Sequence, residues 1–480
     1  MLHMASRTMW STVVVGVLAI PFMALSESVD DSSAKQDANV SGGVGKPLTI
    51  ESLVATALSS DPSKSAHAAE TLRARGPAAL DVLFAMRDRL FPRDKDRLSR
   101  GHILRSIEKN IPQNREHSTT GKSAPNTFQQ QQRIDAVIDQ VGGQRYCSLS
   151  RLYWHTDFKR AETAARASGK PILSLRLLGK LTDELSCANS RYFRTTLYAN
   201  QEIAEYLRTH FVLHWKSVRP VPVVTVDFGD GRQIKRTLTG NSIHYVLATD
   251  GAPIDALPGL YAPATFLESL QRAEQIALLA MDSSGDQRQT MLREYHHQRL
   301  EVIAADWQRD LNRVQSNLAD SQTAESVEPN ATAAAKLRIL DGATQESTWK
   351  EIAALHHAET QLDASTVEVM RRENPPTAAQ AMRMAVSKSV IEDPILQMIR
   401  RFRADLALDT VRNEYLLHSR LHQWFVKGEH TTDVDVLNTQ VYAQVFLTPS
   451  SDPWIGLVKP SEYTALVKSG VISERQPARR

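Results

Sequence analysis

The sequence predicts a multidomain protein in which a central α/β domain is flanked by mainly α-helical domains. Three observations lead there. At 480 residues the chain exceeds what one ordinary hydrophobic core takes up, which argues for two to four domains. Between Trp154 and Arg272, short apolar runs of strand length alternate with helix-length amphipathic stretches, the pattern of an α/β unit. On both sides of that stretch apolar residues recur three and four apart, the helical period.

Composition narrows the class further. With 42% hydrophobic and 23% charged residues the chain is globular in character. Its 57 basic residues nearly cancel 54 acidic ones, which removes the electrostatic ground for nucleic acid as a main partner. Two cysteines exclude a disulfide-dense scaffold and a four-cysteine zinc ribbon. There is no phosphate-binding glycine loop, nucleophile elbow or dinucleotide fingerprint, and no cofactor is expected.

Residues 1–26 read as a signal peptide. Arg7 precedes an apolar run from Met9 to Leu25, interrupted by Pro21, and Ala24-Leu25-Ser26 places small residues where an export peptidase reads them. The run is short beside the ~20 residues of a membrane span. An exported protein, periplasmic or secreted, is expected, attached to the membrane only if this segment stays uncleaved, with other envelope proteins as partners.

Taken in order, residues 27–46 are Ser-, Asp- and Gly-rich and read as a linker. Residues 47–115 read as helices broken at Asp61-Pro62 and Gly76-Pro77, where Pro at a first turn and Gly after a last one mark helix ends. The phrase from Ala69 to Leu80 resembles HEAT-type helical repeats, though a small bundle fits equally. Residues 116–132, ending in Gln129-Gln130-Gln131-Gln132, read as a second linker. The central domain is expected over 133–280. A helix near Arg133 carries Ile134, Val137 and Ile138, then comes helix Phe158–Ser168. Pro171–Leu178 is a strand apolar on both faces, followed by helix Ser190–Arg208 and strand Phe211–Val218. Alternating residues around Gly229-Asp230-Gly231 read as a β-hairpin. A closing hairpin turns at Asp250-Gly251, and Ala264–Leu279 is the last helix. A helical extension over 281–318, a linker over 319–334 and a mainly helical C-terminal domain over 335–480 complete the chain, with Val441–Leu447 a possible strand.

Several phrases in this order, Lys170-Pro171-Ile172-Leu173, Asn200-Gln201-Glu202-Ile203-Ala204, Phe211-Val212 and the Asp250-Gly251 hairpin, resemble the thioredoxin-like superfamily. The stretch looks most like the exported bacterial branch that fuses such a domain to helical ones. The resemblance implies a redox Cys-x-x-Cys between the first central strand and the following helix, its first Cys at a helix N-terminus that favours thiolate. Cys187-Ala188-Asn189-Ser190 matches the position and carries Ser190 where the second thiol would stand. The resemblance also implies a cis-Pro opposite that Cys. The matching stretch Asn241–Tyr245 has His244 there, either tuning the thiol or lying at the surface or a strand end.

Three functions follow as expectations. The first is a non-catalytic interaction or scaffolding module. The second is a monothiol oxidoreductase or isomerase, with Cys187 as nucleophile and Ser190 or His244 tuning it. Cys147 and Cys187 could alternatively form a disulfide. The third is metal or haem binding through His418 and His422, which share a helix face at i,i+4. The adjacent pairs His296-His297 and His356-His357 diverge on a helix and carry less weight. Asp452-Pro453-Trp454 reads as an aromatic turn, either docking a partner or capping the C-terminal core.

Overall fold

Local sequence places the helix ends. In the computed structural model, which describes residues 49–91, 127–319, 344–373, 394–428, 432–455, 457 and 463–470, Asp61 caps α2 (Pro62–Ala74) by accepting from Ser63 and Lys64 N–H. Gly76, at φ +78°, turns the chain into α3 (Pro77–Leu90), whose Pro occupies the first turn. With α1 (Ile50–Ala57) and α4 (Thr127–Gly142) these helices enclose an N-terminal core of Leu53, Leu72, Leu83 and Ile138 that also takes in Cys147 of the short α5 (Cys147–Ser150). The expected signal peptide and the linker at 27–46 lie outside the described residues, as does nearly all of the linker at 319–334. Of the second linker, 116–126 lies outside the described residues, and its end is corrected: Gln129–Gln132 lies inside α4, where glutamine is an acceptable helix former. Among the described residues no helix is long and apolar enough to cross a membrane.

The centre is a mixed α/β layer. Its sheet has five strands, β1 (Trp154–His155), β2 (Ile172–Leu178), β3 (Val212–Arg219), β6 (Ser242–Leu247) and β7 (Pro253–Pro258), in the spatial order β1-β3-β2-β6-β7. β1, β3 and β2 run parallel, joined by α6 (Phe158–Ser168) and by the segment holding α7 (Ala188–Tyr192) and α8 (Gln201–His210). β6 and β7 complete the sheet antiparallel. Every residue of β2 is buried, as a central strand covered on both faces requires. The expected hairpin is present: β4 (Val223–Asp227) pairs antiparallel with β5 (Gln233–Thr237) as a separate two-stranded sheet. Val223, Val226, Phe228, Ile234 and Leu238 on it are exposed.

The helix expected over Ser190–Arg208 is divided. A π-helical turn, Phe193–Leu197, follows α7, and Asn200 then caps α8 through Ile203 N–H. An Asn that bonds a backbone N–H starts a new helix more readily than it continues one.

C-terminal to the sheet, α9 (Pro263–Met281) packs on it, α10 (Gly285–Ala319) runs back alongside, and α11 (Glu346–Leu355) and α12 (Ala364–Glu373) follow. α13 (Pro394–Arg412) continues through a π-helical turn, Asn413–His418, into α14 (Ser419–Lys427). The possible strand Val441–Leu447 is corrected. Its first half belongs to α15 (Val434–Gln444), capped by Asp433. Val441 and Tyr442 of α15 join the sheet's core together with Leu421 and Phe425 of α14, so the C-terminal helices and the sheet share apolar packing. A further core forms where Trp307 of α10, Trp349 of α11 and Tyr415 meet.

Candidate functional site

Cys187 stands where the β2-to-α7 loop enters its helix. It is the N-cap residue of α7, and its Sγ accepts from Ser190 N–H at 3.4 Å. That is the position from which a helix N-terminus promotes thiolate. Burial decides otherwise. Cys187 is 0% exposed, and desolvation pushes its thiol up although the Ser190 N–H pulls it down.

The helix start beside the thiol is packed against a distant loop. Gly240 approaches so closely that a Cβ there would meet Asn189 Oδ1 at 2.7 Å, and Asn189 Nδ2 donates to Ser242 Oγ at 2.8 Å. The C-terminal segment clamps this loop: Tyr442 Oη donates to Asn241 O at 3.0 Å, and Asn241 Nδ2 donates to Thr448 Oγ1 at 3.1 Å. Ser190 Oγ is buried without a hydrogen-bond partner, so it does not hold the thiol.

His244 sits within β6, opposite Leu175 of β2 and Leu257 of β7. It is 1% exposed, which corrects the surface or strand-end alternative. Its Nε2 lies 2.6 Å from Tyr198 Oη, and its ring meets Phe193 and Phe266 edge-on. Burial lowers its pKa to about 3, so the imidazole stays neutral and cannot stabilise a thiolate by charge.

Cys147 is equally buried and belongs to the N-terminal core, whereas Cys187 belongs to the sheet's core. Both are free thiols. Cys147 Sγ donates to Leu152 O at 3.2 Å, and desolvation keeps this thiol well above its ordinary range.

A second site lies where β7, α10 and α14 converge. His418 and His422 share a helix face, with ring centroids 4.1 Å apart. His418 spends both nitrogens on carboxylates: Nδ1 lies 2.8 Å from Glu414 Oε2 and Nε2 lies 3.4 Å from Asp255 Oδ1. Burial works to lower its pKa, but the Glu414 charge and both hydrogen bonds prevail and bring it up to about 9. Burial would raise the Asp255 carboxyl, yet the His418 hydrogen bond and the neighbouring histidines hold it well below the usual range. Glu414, which also receives Arg299 Nη2 at 3.2 Å, is brought down against burial to about 2, chiefly by the His418 charge.

His422 turns to a different neighbour. Its Nδ1 lies 2.8 Å from His296 Nδ1, and burial, followed by the His418 charge, puts its pKa well below the ordinary value. Asp255, His296 and His422 each offer a ligand atom within 4.8 Å of the other two. Sequence spacing pointed at His422 and missed Asp255 and His296. The divergence of His296 and His297 was the available signal, since it leaves one ring buried and the other exposed.

The structure thus brings Cys187 and Ser190 together at one helix start, sets His244 among aromatic rings, and assembles a histidine–carboxylate cluster around Asp255 of β7. No protein-family model, curated protein or solved structure matches this chain.

Proposed function

We propose that residues 133–280 form a degenerate thioredoxin-like domain acting as a non-catalytic interaction or scaffolding module in an exported protein that works among other envelope proteins. The burial of Cys187 carries this reading. Thiol–disulfide exchange needs a thiolate within reach of a second sulfur. This thiol is fully buried, next to a helix start packed against the Gly240–Ser242 loop that the C-terminal segment clamps, with its pKa raised and no second thiol beside it. The thioredoxin-like assignment draws support from the parallel β1–β3–β2 unit followed by an antiparallel β6–β7 hairpin, with Cys187 capping the helix after β2. The exposed apolar residues of the β4–β5 hairpin suit a surface that meets other proteins.

An insulin-reduction assay on the full chain and on Cys187→Ser tests the reading. Equal, background rates are expected. A wild-type rate well above that of the variant establishes the monothiol oxidoreductase reading instead.

A further inference from the structure

Asp255 on β7, His296 on α10 and His422 on α14 meet in the interior at 3%, 1% and 0% exposure. They come from elements far apart in the chain, so their convergence is a product of tertiary packing. The His296 and His422 Nδ1 atoms are 2.8 Å apart, and His422 Nε2 is buried without a hydrogen-bond partner. We propose that Asp255, His296 and His422 bind one first-row divalent transition ion of the Zn²⁺ class, which fastens β7, α10 and α14 to one another.

The donor set selects the ion class. Two imidazoles and one carboxylate suit Zn²⁺, Co²⁺, Ni²⁺ or Fe²⁺, whereas Ca²⁺ and Mg²⁺ prefer all-oxygen shells. With Zn–N distances of about 2.0–2.1 Å, two donors on a tetrahedral ion stand roughly 3.3–3.4 Å apart, so the Nδ1 atoms, 2.8 Å apart, separate by about half an ångström on binding. On binding, the ring that donates the Nδ1–Nδ1 hydrogen bond carries its proton on Nε2 instead, and both rings turn in plane so that the Nδ1 lone pairs, aimed at each other in the hydrogen bond, converge on the ion.

The surroundings already orient the donors, as outer partners of metal ligands do. Tyr295 Oη donates to Asp255 Oδ2 at 2.6 Å, and Ala256 N–H donates to Asp255 Oδ1 at 2.8 Å. Phe425 stacks on His296 at 4.3 Å and 11° between planes, fixing the ring. His418 stays outside the ligand set because both its nitrogens engage carboxylates. Full enclosure points to a structural ion, since a catalytic one keeps a coordination position open to substrate.

The test uses the full-length chain, stripped by a chelator and then titrated with Zn²⁺ by calorimetry and with Co²⁺ by visible absorption. Expected are one Zn²⁺ per chain retained through gel filtration, a thermal midpoint raised by several degrees, and cobalt d–d bands. His296→Gln and His422→Gln weaken binding at least a hundredfold, while His297→Gln, which alters the exposed neighbour, leaves it unchanged. Tyr295→Phe weakens it roughly tenfold. Substoichiometric Zn²⁺ with an unmoved midpoint overturns the proposal, as does wild-type affinity in His296→Gln and His422→Gln. Should those two variants fail to fold, the wild-type stoichiometry and cobalt spectrum decide: absent d–d bands overturn it and present ones support it.

Discussion

The Arg176 guanidinium, 1% exposed within β2, reaches Asp435 of α15 with 3.1 Å between Nη2 and Oδ1, across a separation of 259 residues. Its Nη1 contacts Ser174 Oγ and lies 3.3 Å from His214 Nδ1, and Lys216 Nζ joins Asp435 Oδ2 at 2.6 Å. Burial pushes the guanidinium pKa down and Asp435 pulls it back up. A charge inside a sheet is tolerated where such partners exist.

Asp435→Asn therefore acts mainly through the arginine it leaves behind. Asp435 itself is half exposed and its attraction is screened by water. The stranded Arg176 costs roughly 1–3 kcal/mol, because removing one partner exposes the other's desolvation penalty. Urea unfolding should show a lower midpoint at unchanged m, and Arg176→Met added to Asp435→Asn should recover part of the loss. A midpoint equal to wild type in Asp435→Asn removes this account.

His356 supplies the pH dependence. Its Nε2 lies 2.7 Å from Asp310 Oδ2 and its Nδ1 lies 2.7 Å from Glu359 Oε1. The hydrogen bond to Asp310, seconded by that to Glu359, lifts its pKa to about 10. A raised folded-state pKa means that the folded chain holds the proton more tightly than the unfolded one. The stabilisation is complete below about pH 6.5, the unfolded value, and disappears as pH rises through about 10. Some solvent reaches the side chain, so on the order of 2 kcal/mol is expected after screening. Denaturation of wild type and His356→Gln at pH 6 and pH 10 checks it: their stabilities should draw together at the higher pH, and parallel curves would refute the linkage.

Both thiols should be silent to a bulky disulfide reagent under native conditions. Cys147 and Cys187 are each 0% exposed and held above the ordinary thiol range. Modification then requires opening, so its rate should follow unfolding and rise steeply in urea. Fast labelling of either residue without denaturant contradicts the burial described above.

Gly142, the last residue of α4, faces the Cys147 side chain so closely that an added Cβ would overlap Sγ and stand 3.1 Å from Leu152 O. Gly142→Ala should cost about 1–3 kcal/mol by overpacking. Cys147→Ala in the same chain should return a good part of it. Non-additive unfolding free energies in the double variant measure that coupling, and strict additivity would sever it.

Legibility in the sequence followed the range of the forces involved. The run Ile172–Leu178, the Gly229-Asp230-Gly231 turn and the Asp61-Pro62 helix start were readable because burial on both faces, positive φ and capping are written in adjacent residues. Val441–Leu447 misled because a short β-branched and aromatic run has no decisive period, and its contacts with the sheet came only from folding. The Cys187 motif could be located but not its exposure, which depends on a loop and a helix far along the chain. Nothing next to His296 announces His422, 126 residues away.

The shared core also sets an order of events on the ribosome. Tyr245 Oη donates to Asn438 Oδ1 at 3.3 Å, and Leu437, Val441 and Val445 pack with sheet residues made far earlier. At roughly 5–20 residues per second, the interval between Pro258 and Val434 is on the order of 10–30 seconds of synthesis. Through that interval the strands have α6, α8 and α9 packed on them but lack α15. A nascent chain stalled before Val434 would offer its sheet to a chaperone, and the burial of Cys187 would be among the last events of folding.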